Sequence, residues 1–195
     1  MIYTSLSTVT VNDFYRNLAA SLGAQSSYRK TENFHIIQEE INRLALDKKK
    51  TPVIIIDEAN YIKNAVLNDL KILFNFEMDS RDRAVILLVG LPQLNNTLQL
   101  SIHEPLRQRI IMNYNVDGYS KEEGRAYMEW KLKKAGCTAP VFDDAAIEAI
   151  LNASDGTARV ISKLCNASLV IGHSQSANRI TADIVMQAIN DSTLG

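Results

Sequence analysis

Cysteine and histidine are nearly absent from this chain of 195 residues. Cys137 and Cys165 lie far apart and share no metal-ligand spacing with His35, His103 or His173, which excludes a disulfide framework and a zinc site. An excess of either charge is also missing. Lysine and arginine number 21 against 22 acids, so no global polyanion-binding signature is present, although a local basic lane is not excluded. No apolar run is long enough to span a bilayer and nothing at the N-terminus reads as a signal peptide, so the sequence predicts a soluble, cytoplasmic protein. No serine or cysteine sits in a nucleophile elbow, which leaves triad hydrolysis without support. No Gly-x-x-x-x-Gly-Lys-Ser/Thr run occurs either. The backbone cradle, the lysine and the hydroxyl with which one loop holds magnesium and triphosphate are therefore missing.

What is present is a core. With 46% hydrophobic residues the chain can fill one globular unit, or one unit and a small lid. Its centre reads Thr51-Pro52-Val53-Ile54-Ile55-Ile56-Asp57-Glu58-Ala59-Asn60. Four β-branched apolar residues opened by proline and closed by two acids predict a parallel strand buried on both faces. Open α/β sheets place their chemistry at the carboxyl ends of such strands. Paired carboxylates there suit a magnesium–nucleotide site, with Asp57 holding Mg2+ through water and Glu58 orienting and deprotonating the attacking water, the form of a Walker B motif. The plainer alternative is that an acid merely caps the next helix.

Met1 to Thr4 reads as the tail of a strand, and Thr10 caps a helix with Phe14, Leu18 and Leu22 inward, closed by Gly23. A helix over about 33–46 places Ile37, Ile41 and Leu44 on one face, and Lys48-Lys49-Lys50 is a solvated loop. A helix over about 64–74 turns Leu67, Leu70, Leu73 and Phe74 inward; a charged turn, Asp79 to Arg83, leads to a second buried strand, Ala84 to Gly90. Two such strands joined by a helix form a right-handed βαβ unit and a parallel sheet. A short helix reaches Arg109, and Ile110 to Val116 reads as one more strand. Asp117-Gly118 marks the predicted boundary, between an α/β core over 1–117 and a helical domain over 118–195. In the latter, Ser120 and Glu123 form a capping box, Gly136 stops the first helix, and Asp143 caps the second. The third, over about 158–171, turns Val160, Leu164 and Ala167 inward, and Thr181 caps a fourth ending near Asn190.

Taken together these stretches resemble the AAA+ ATPases, and within them the ExeA type associated with general secretion and with transposition. Val53 to Asn60 resembles the family's Walker B box, and Leu70-Lys71-Ile72-Leu73-Phe74-Asn75-Phe76-Glu77 its following helix. Leu88-Val89-Gly90-Leu91-Pro92-Gln93-Leu94 and Leu106-Arg107-Gln108-Arg109-Ile110 are similar to two further segments, and Gly156-Thr157-Ala158-Arg159 to the Gly-x-x-Arg of the lid. The resemblance implies an α/β fold, a partial P-loop parallel sheet followed by an all-helical lid. It also implies ATP and Mg2+ as cofactors, a sensor role for Arg159 toward the γ-phosphate, and an arginine finger at Arg107 or Arg109 serving a neighbouring subunit of a homo-oligomer. Their plainer roles are a helix-start pairing for Arg159 and surface charge for the other two.

Two departures stand out. The family's first strand, Walker A loop and helix precede the part that Ile2 to Gly23 resembles, so the sequence reads as an ATPase without its nucleotide-binding front end, inactive in this form. At the end of the strand 84–89, where the family carries a polar sensor, Gly90 and Leu91 offer none; Gln93 is a substitute. The chain stops soon after its last helix, which favours a helper acting with DNA and a transposase, for which Lys131, Lys133 and Lys134 are candidate contacts. Three lysines in a helix's last turn also complement its dipole. The alternatives are the energising ATPase of a secretion system, acting on its components, and a non-enzymatic interaction module. Tyr127 and Trp130 read as packing residues.

Overall fold

The computed structural model describes residues 2–4, 10–76, 81–137 and 139–193. Glu77, Asp79 and Ser80 of the predicted helix end and turn, and Leu194 and Gly195 of the chain end, lie outside them. The chain divides into two compact units, Met1–Asn113 and Tyr114–Gly195.

The first unit is built on a parallel sheet of three described strands in the order β1 (Ile2–Thr4), β2 (Val53–Ile56), β3 (Val85–Leu88). Ile54 pairs with Ile2 on one side and with Ile86 on the other, so the apolar run is the central strand. Helices α1 (Val11–Ser21) and α2 (Lys30–Asn42) join β1 to β2, and α3 (Asn64–Leu73) joins β2 to β3. Thr10 caps α1 through a bond from the Asp13 N–H at 3.2 Å, and Gly23 closes it with φ +90°. Phe14, Leu18, Ile37, Ile41, Leu67 and Leu70 pack with Ile54 and Ile56 into one core. Tyr15 ties these helices together: its hydroxyl donates to Asp69 of α3 at 2.9 Å, and Asp69 also pairs with Lys30 of α2. Burial, then the Asp69 carboxylate, pushes the Tyr15 phenol far above its ordinary pKa.

Among the described residues the sheet is covered on one face only. Ile54 and Ile56 are buried, with Ile86 and Leu88 packed beside them, whereas Val53 and Ile55 are half-buried and Val85 and Leu87 on the same face are 51% and 49% exposed.

Several expectations are corrected. Residues 110–116 form no strand; Ile111 is fully exposed and Met112, Tyr114 and Val116 are mostly so. A strand exists only against a partner ladder, and no described residue supplies one. The second helix starts three residues earlier, at Lys30, and its last turn, Arg43–Asp47, widens to i+5 bonding, which leaves Leu44 half-buried. Lys48, Lys49 and Lys50 do form a solvated loop.

After β3 the chain forms α4 (Gln93–Leu98) and the single turn α5 (Glu104–Arg107). The second unit contains α6 (Lys121–Lys134), α7 (Asp144–Ser154), α8 (Ala158–Ser174) and α9 (Ala182–Thr193). Both halves of the Ser120/Glu123 capping box form, at 2.9 and 3.2 Å, and Asp143 accepts from the Ala146 N–H at 2.6 Å. The buried face of α8 is Ile161, Leu164 and Ser168, with Val160 and Ala167 at its margin. The predicted face is rotated by about one residue because α9 and α6 both press on α8 and widen the buried stripe.

Candidate active site at the end of the central strand

Asp57 and Glu58 lie immediately after β2, where the chain turns sharply. Glu58 adopts φ 54°, ψ 34°, a left-handed conformation costing a non-glycine residue about 1 kcal/mol. Asp57 Oδ1 accepts the Glu58 N–H at 2.8 Å, which fixes the turn. The short 3-10 turn Ala59–Tyr61 that follows has no side-chain cap, and α3 begins after Lys63, so neither acid caps a following helix. Glu58 is exposed and Asp57 half-buried. The pair is thus held by backbone geometry at the carboxyl edge of the sheet.

The ends of β2 and β3 are laced together. The Ala59 N–H donates to Val89 O at 2.8 Å, the Val89 N–H to Ile56 O at 2.9 Å, and the Leu91 N–H to Asn60 Oδ1 at 3.0 Å. A Cβ on Gly90 would stand 2.9 Å from Asn60 Oδ1 and 3.0 Å from Asn60 N. Close approach therefore demands glycine where a polar sensor was sought. Asn60 itself brings an amide side chain to the end of β3, a role not legible from the sequence, where the only signal was a polar residue two positions after the acids. Gln93 starts α4 with an exposed side chain.

The arginines fall into two groups. The Arg107 guanidinium donates to Gln99 O at 3.1 Å and Leu98 O at 3.4 Å, closing the end of α4, and Arg109 donates to Lys71 O near the end of α3. Both remain exposed. Arg159 belongs to the second unit, exposed at the second residue of α8 with no partner among the described residues. A cation in a first turn opposes the helix dipole, so this position is not chosen for helix stability. Gly156 sits three residues before it with φ +69°, and its carbonyl accepts the Tyr119 N–H at 2.8 Å.

His103 is fully buried, its Nδ1 3.0 Å from Asn68 Oδ1 and its Nε2 3.1 Å from Asn64 Oδ1. Desolvation lowers its pKa, so the ring is a neutral core group and one asparagine turns its amide nitrogen toward it. Among the described residues no three His, Cys, Asp or Glu side chains gather to hold a metal. Asp57 alone suits magnesium held through water; no described loop supplies the phosphate cradle.

Comparison with known proteins places this geometry. The family model described as "AAA domain" matches residues 1–98. General secretion pathway protein A of Aeromonas hydrophila is 30% identical over 140 residues, covering 71% of this chain and 26% of that protein. Among solved structures, the ORC2 protein of Aeropyrum pernix in its ADPNP–ADP complexes superposes with a TM-score of 0.67 at 14% identity, covering 97% of this chain and 52% of that one. Cdc6p from Pyrobaculum aerophilum gives 0.66 at 15% identity, covering 92% and 49%. The chain thus spans about a quarter of the Aeromonas protein and about half of the two solved chains.

Proposed function

Because the chain belongs to the AAA domain family and has its fold, we propose that it carries the Walker B and lid portions of an ATP-hydrolysing AAA+ machine that works as a homo-oligomer. The observation that carries the reading is the Asp57–Glu58 turn at the carboxyl end of the central strand, with Glu58 held left-handed by a bond to its neighbour. Asp57 holds Mg2+ through water, and Glu58 accepts a proton from the attacking water. Arg159 answers to the γ-phosphate. Arg107 or Arg109 is the finger; both donate to backbone carbonyls of this chain, Arg107 at the end of α4 and Arg109 near the end of α3. Gln93 and Asn60 are the polar side chains beside the end of β3.

Charge-assisted phosphate contacts contribute about 1.5–3 kcal/mol each, so lacking a cradle of several weakens nucleotide binding by orders of magnitude. This chain alone is therefore inactive. Calorimetry with Mg-ATP on the chain, and on a version extended upstream by an AAA+ Walker A segment, each carrying Glu58→Gln, tests this. Tight binding is expected only in the extended form; binding in neither overturns the ATPase reading.

The output we propose is DNA transposition, with the oligomer assembling on DNA and recruiting a transposase. Support comes from an aromatic ladder on the second unit: Tyr119 and Tyr127 have ring centroids 5.3 Å apart, and Tyr127 stacks on Trp130 at 6.4 Å and 26°. Lys134 Nζ lies 4.9 Å above Trp130, which is 54% exposed, and Lys131 lies 5.9 Å from Tyr127. Tyr127 is itself partly buried against the core of the unit, which leaves Trp130, with its lysine neighbour, as the exposed ring; an exposed aromatic beside lysines is the chemistry of single-strand binding, where each stacked base contributes about 1–3 kcal/mol. A second reading, an energising ATPase of a secretion pathway, is favoured by the Aeromonas relative. Titration of Trp130 emission with an oligonucleotide separates the two: quenching that weakens at high salt supports DNA, and an unchanged signal favours secretion.

A further inference from the structure

The amino end of the sheet, opposite Asp57 and Glu58, gathers positive charge from two separate loops. Lys48, Lys49 and Lys50 lead into β2, and Arg81 and Arg83 lead into β3. The two lead-ins run side by side, since Val53 pairs with Val85 and the Val85 N–H donates to Pro52 O at 2.9 Å. Arg83 ties this corner to the end of α2: its Nη1 donates to Asn42 Oδ1 at 2.6 Å, and its guanidinium lies 5.6 Å from the Phe76 ring. Arg43 follows Asn42 and pairs with Glu40, its Nε donating to Oε2 at 2.8 Å. At about 3.3 Å per residue along a strand, this end lies roughly 20 Å from the Asp57–Glu58 turn.

The lysine loop is held by its backbone. The Lys48 N–H donates to Arg43 O at 3.2 Å and the Lys50 N–H to Leu44 O at 2.9 Å, a helix ending that puts Lys49 at φ 51°. Glycine is the residue at ease there, so backbone stability does not account for a lysine at the tip. Compensation of the helix dipole favours cations in a last turn and fades beyond it, so it does not reach Arg81 and Arg83. Across the cluster, Arg43, Lys48, Lys49, Lys50, Arg81 and Arg83 outnumber Glu40, Asp47 and Asp82, on a chain whose net charge is −1. The three lysines are exposed, and Lys49 and Lys50 have no ion pair among the described residues. The Glu40 carboxyl is held below its ordinary pKa, first by the Arg43 hydrogen bond, with Lys48 adding to the local field.

The chemistry of this surface narrows its partner. Phe76, the ring beside Arg83, is buried, so it offers no base a stacking face. Among the described residues of these two loops and the turn before them, Leu46 is the only exposed large aliphatic, less than the apolar face that an interfacial membrane anchor requires. What remains is a set of ammonium and guanidinium groups on adjacent loops, suited to repeated phosphates. Duplex DNA carries one such charge per about 1.7 Å of axis.

We propose that Lys48, Lys49 and Lys50, with Arg81 and Arg83, form a sequence-independent binding surface for the phosphate backbone of duplex nucleic acid. It belongs to the first unit, depends on neither the nucleotide site nor Trp130, and is argued from charge and backbone geometry alone.

The test follows the fluorescence anisotropy of a labelled mixed-sequence DNA duplex of about 20 base pairs with the whole chain, without nucleotide, from about 50 to 200 mM KCl. Neutralising Z phosphates gives a log–log salt slope of about −0.9Z. The triple variant Lys48→Gln, Lys49→Gln, Lys50→Gln should flatten that slope by about 3 and weaken binding at about 100 mM by roughly tenfold or more. Lys49→Gly is the sharper variant. It should flatten the slope by about 1 while raising the urea midpoint of the first unit, read by far-ultraviolet circular dichroism, because φ 51° suits glycine. Trp130→Ala should leave the slope unchanged. No duplex binding at about 50 mM, or a triple variant with the parent's slope and affinity, overturns the proposal. So does lysine-dependent binding to vesicles of phosphatidylcholine with about 30% phosphatidylserine in the absence of duplex binding, which would make a membrane surface the partner. A slope lost in Trp130→Ala and kept in the triple variant overturns it in favour of the second unit; the reverse pattern supports this surface and leaves the Trp130 reading unsupported.

Discussion

Replacing Gly156 with alanine should unfold much of the helical unit. The residue has φ +69°, where an alanine costs about 1–2 kcal/mol relative to its preferred backbone. Its Cβ would stand 2.4 Å from Tyr119 O, 2.6 Å from Tyr119 N and 2.9 Å from Gly118 C. All three are backbone atoms, so no rotamer change relieves the contact, and the 2.8 Å bond from Tyr119 N–H to Gly156 O must stretch or break. Overpacking of this kind costs about 1–3 kcal/mol and the lost bond about 1 kcal/mol, giving roughly 3–6 kcal/mol in total. Such a loss is a large part of the stability of a small domain. Trp130 is the only tryptophan and belongs to this unit, so urea unfolding followed by its emission reads the unit by itself. A midpoint drop of about 3 M is expected for a slope near 1–2 kcal/mol/M. A loss under about 1 kcal/mol would refute the steric argument and return Gly156 to a purely functional role in the Gly-x-x-Arg motif.

Asp155 is the mirror case: with φ 46° at the end of α7 it pays the left-handed cost now, so Asp155→Gly should raise the stability read by the same unfolding curve by about 0.5–1 kcal/mol. His103 predicts a pH dependence in the first unit. Its folded pKa lies below the unfolded value near 6.5, so the unfolded chain binds the proton preferentially in that window. Stability is full above about pH 6.5 and falls as pH drops toward the folded pKa, by at most about 1.4 kcal/mol per pH unit. Thermal unfolding followed by circular dichroism at pH 7.5 and 5.5 should show the difference, and His103→Gln should remove most of it.

Local chemistry was legible wherever the deciding interaction lies within one helix turn. Thr10, Ser120 with Glu123, and Asp143 all cap as their spacing dictates, because a cap is satisfied by backbone groups two or three residues away. The central strand was equally plain, since four β-branched residues have few other uses, but the burial on both faces expected of it and of β3 does not hold: Val53 and Ile55 are only partly buried and Val85 and Leu87 are about half exposed, because the covering helices pack on one face. Residues 110–116 were misread for the opposite reason: their alternation is that of a strand, but pairing depends on a neighbour that local sequence does not contain. Gly90 was the subtler case. Its lack of a side chain looked like the loss of a polar sensor, whereas the Asn60 side chain occupies the space, a contact across 30 positions that spacing does not reveal.

The open face and the exposed acids have a common physical origin. Val85 and Leu87 are each about half exposed, so covering them recovers roughly half of the 1.5–3 kcal/mol that full burial of an aliphatic side chain provides, and the mostly buried Val53 and Ile55 add less. Together the four contribute on the order of 2–4 kcal/mol, enough to offset ordering of only a few backbone residues at about 1–2 kcal/mol each. A strand and helix covering this face must therefore bring an apolar surface and edge hydrogen bonds of their own. Occupying that edge would also reduce water access near the end of the sheet, where Asp57 and Glu58 now face solvent or are half-buried. Charge interactions at a few ångströms strengthen about four-fold as the effective dielectric falls from that of water to about 20. Any cover on that edge that lowers the local dielectric would therefore also strengthen the interaction of Asp57 and Glu58 with a cation.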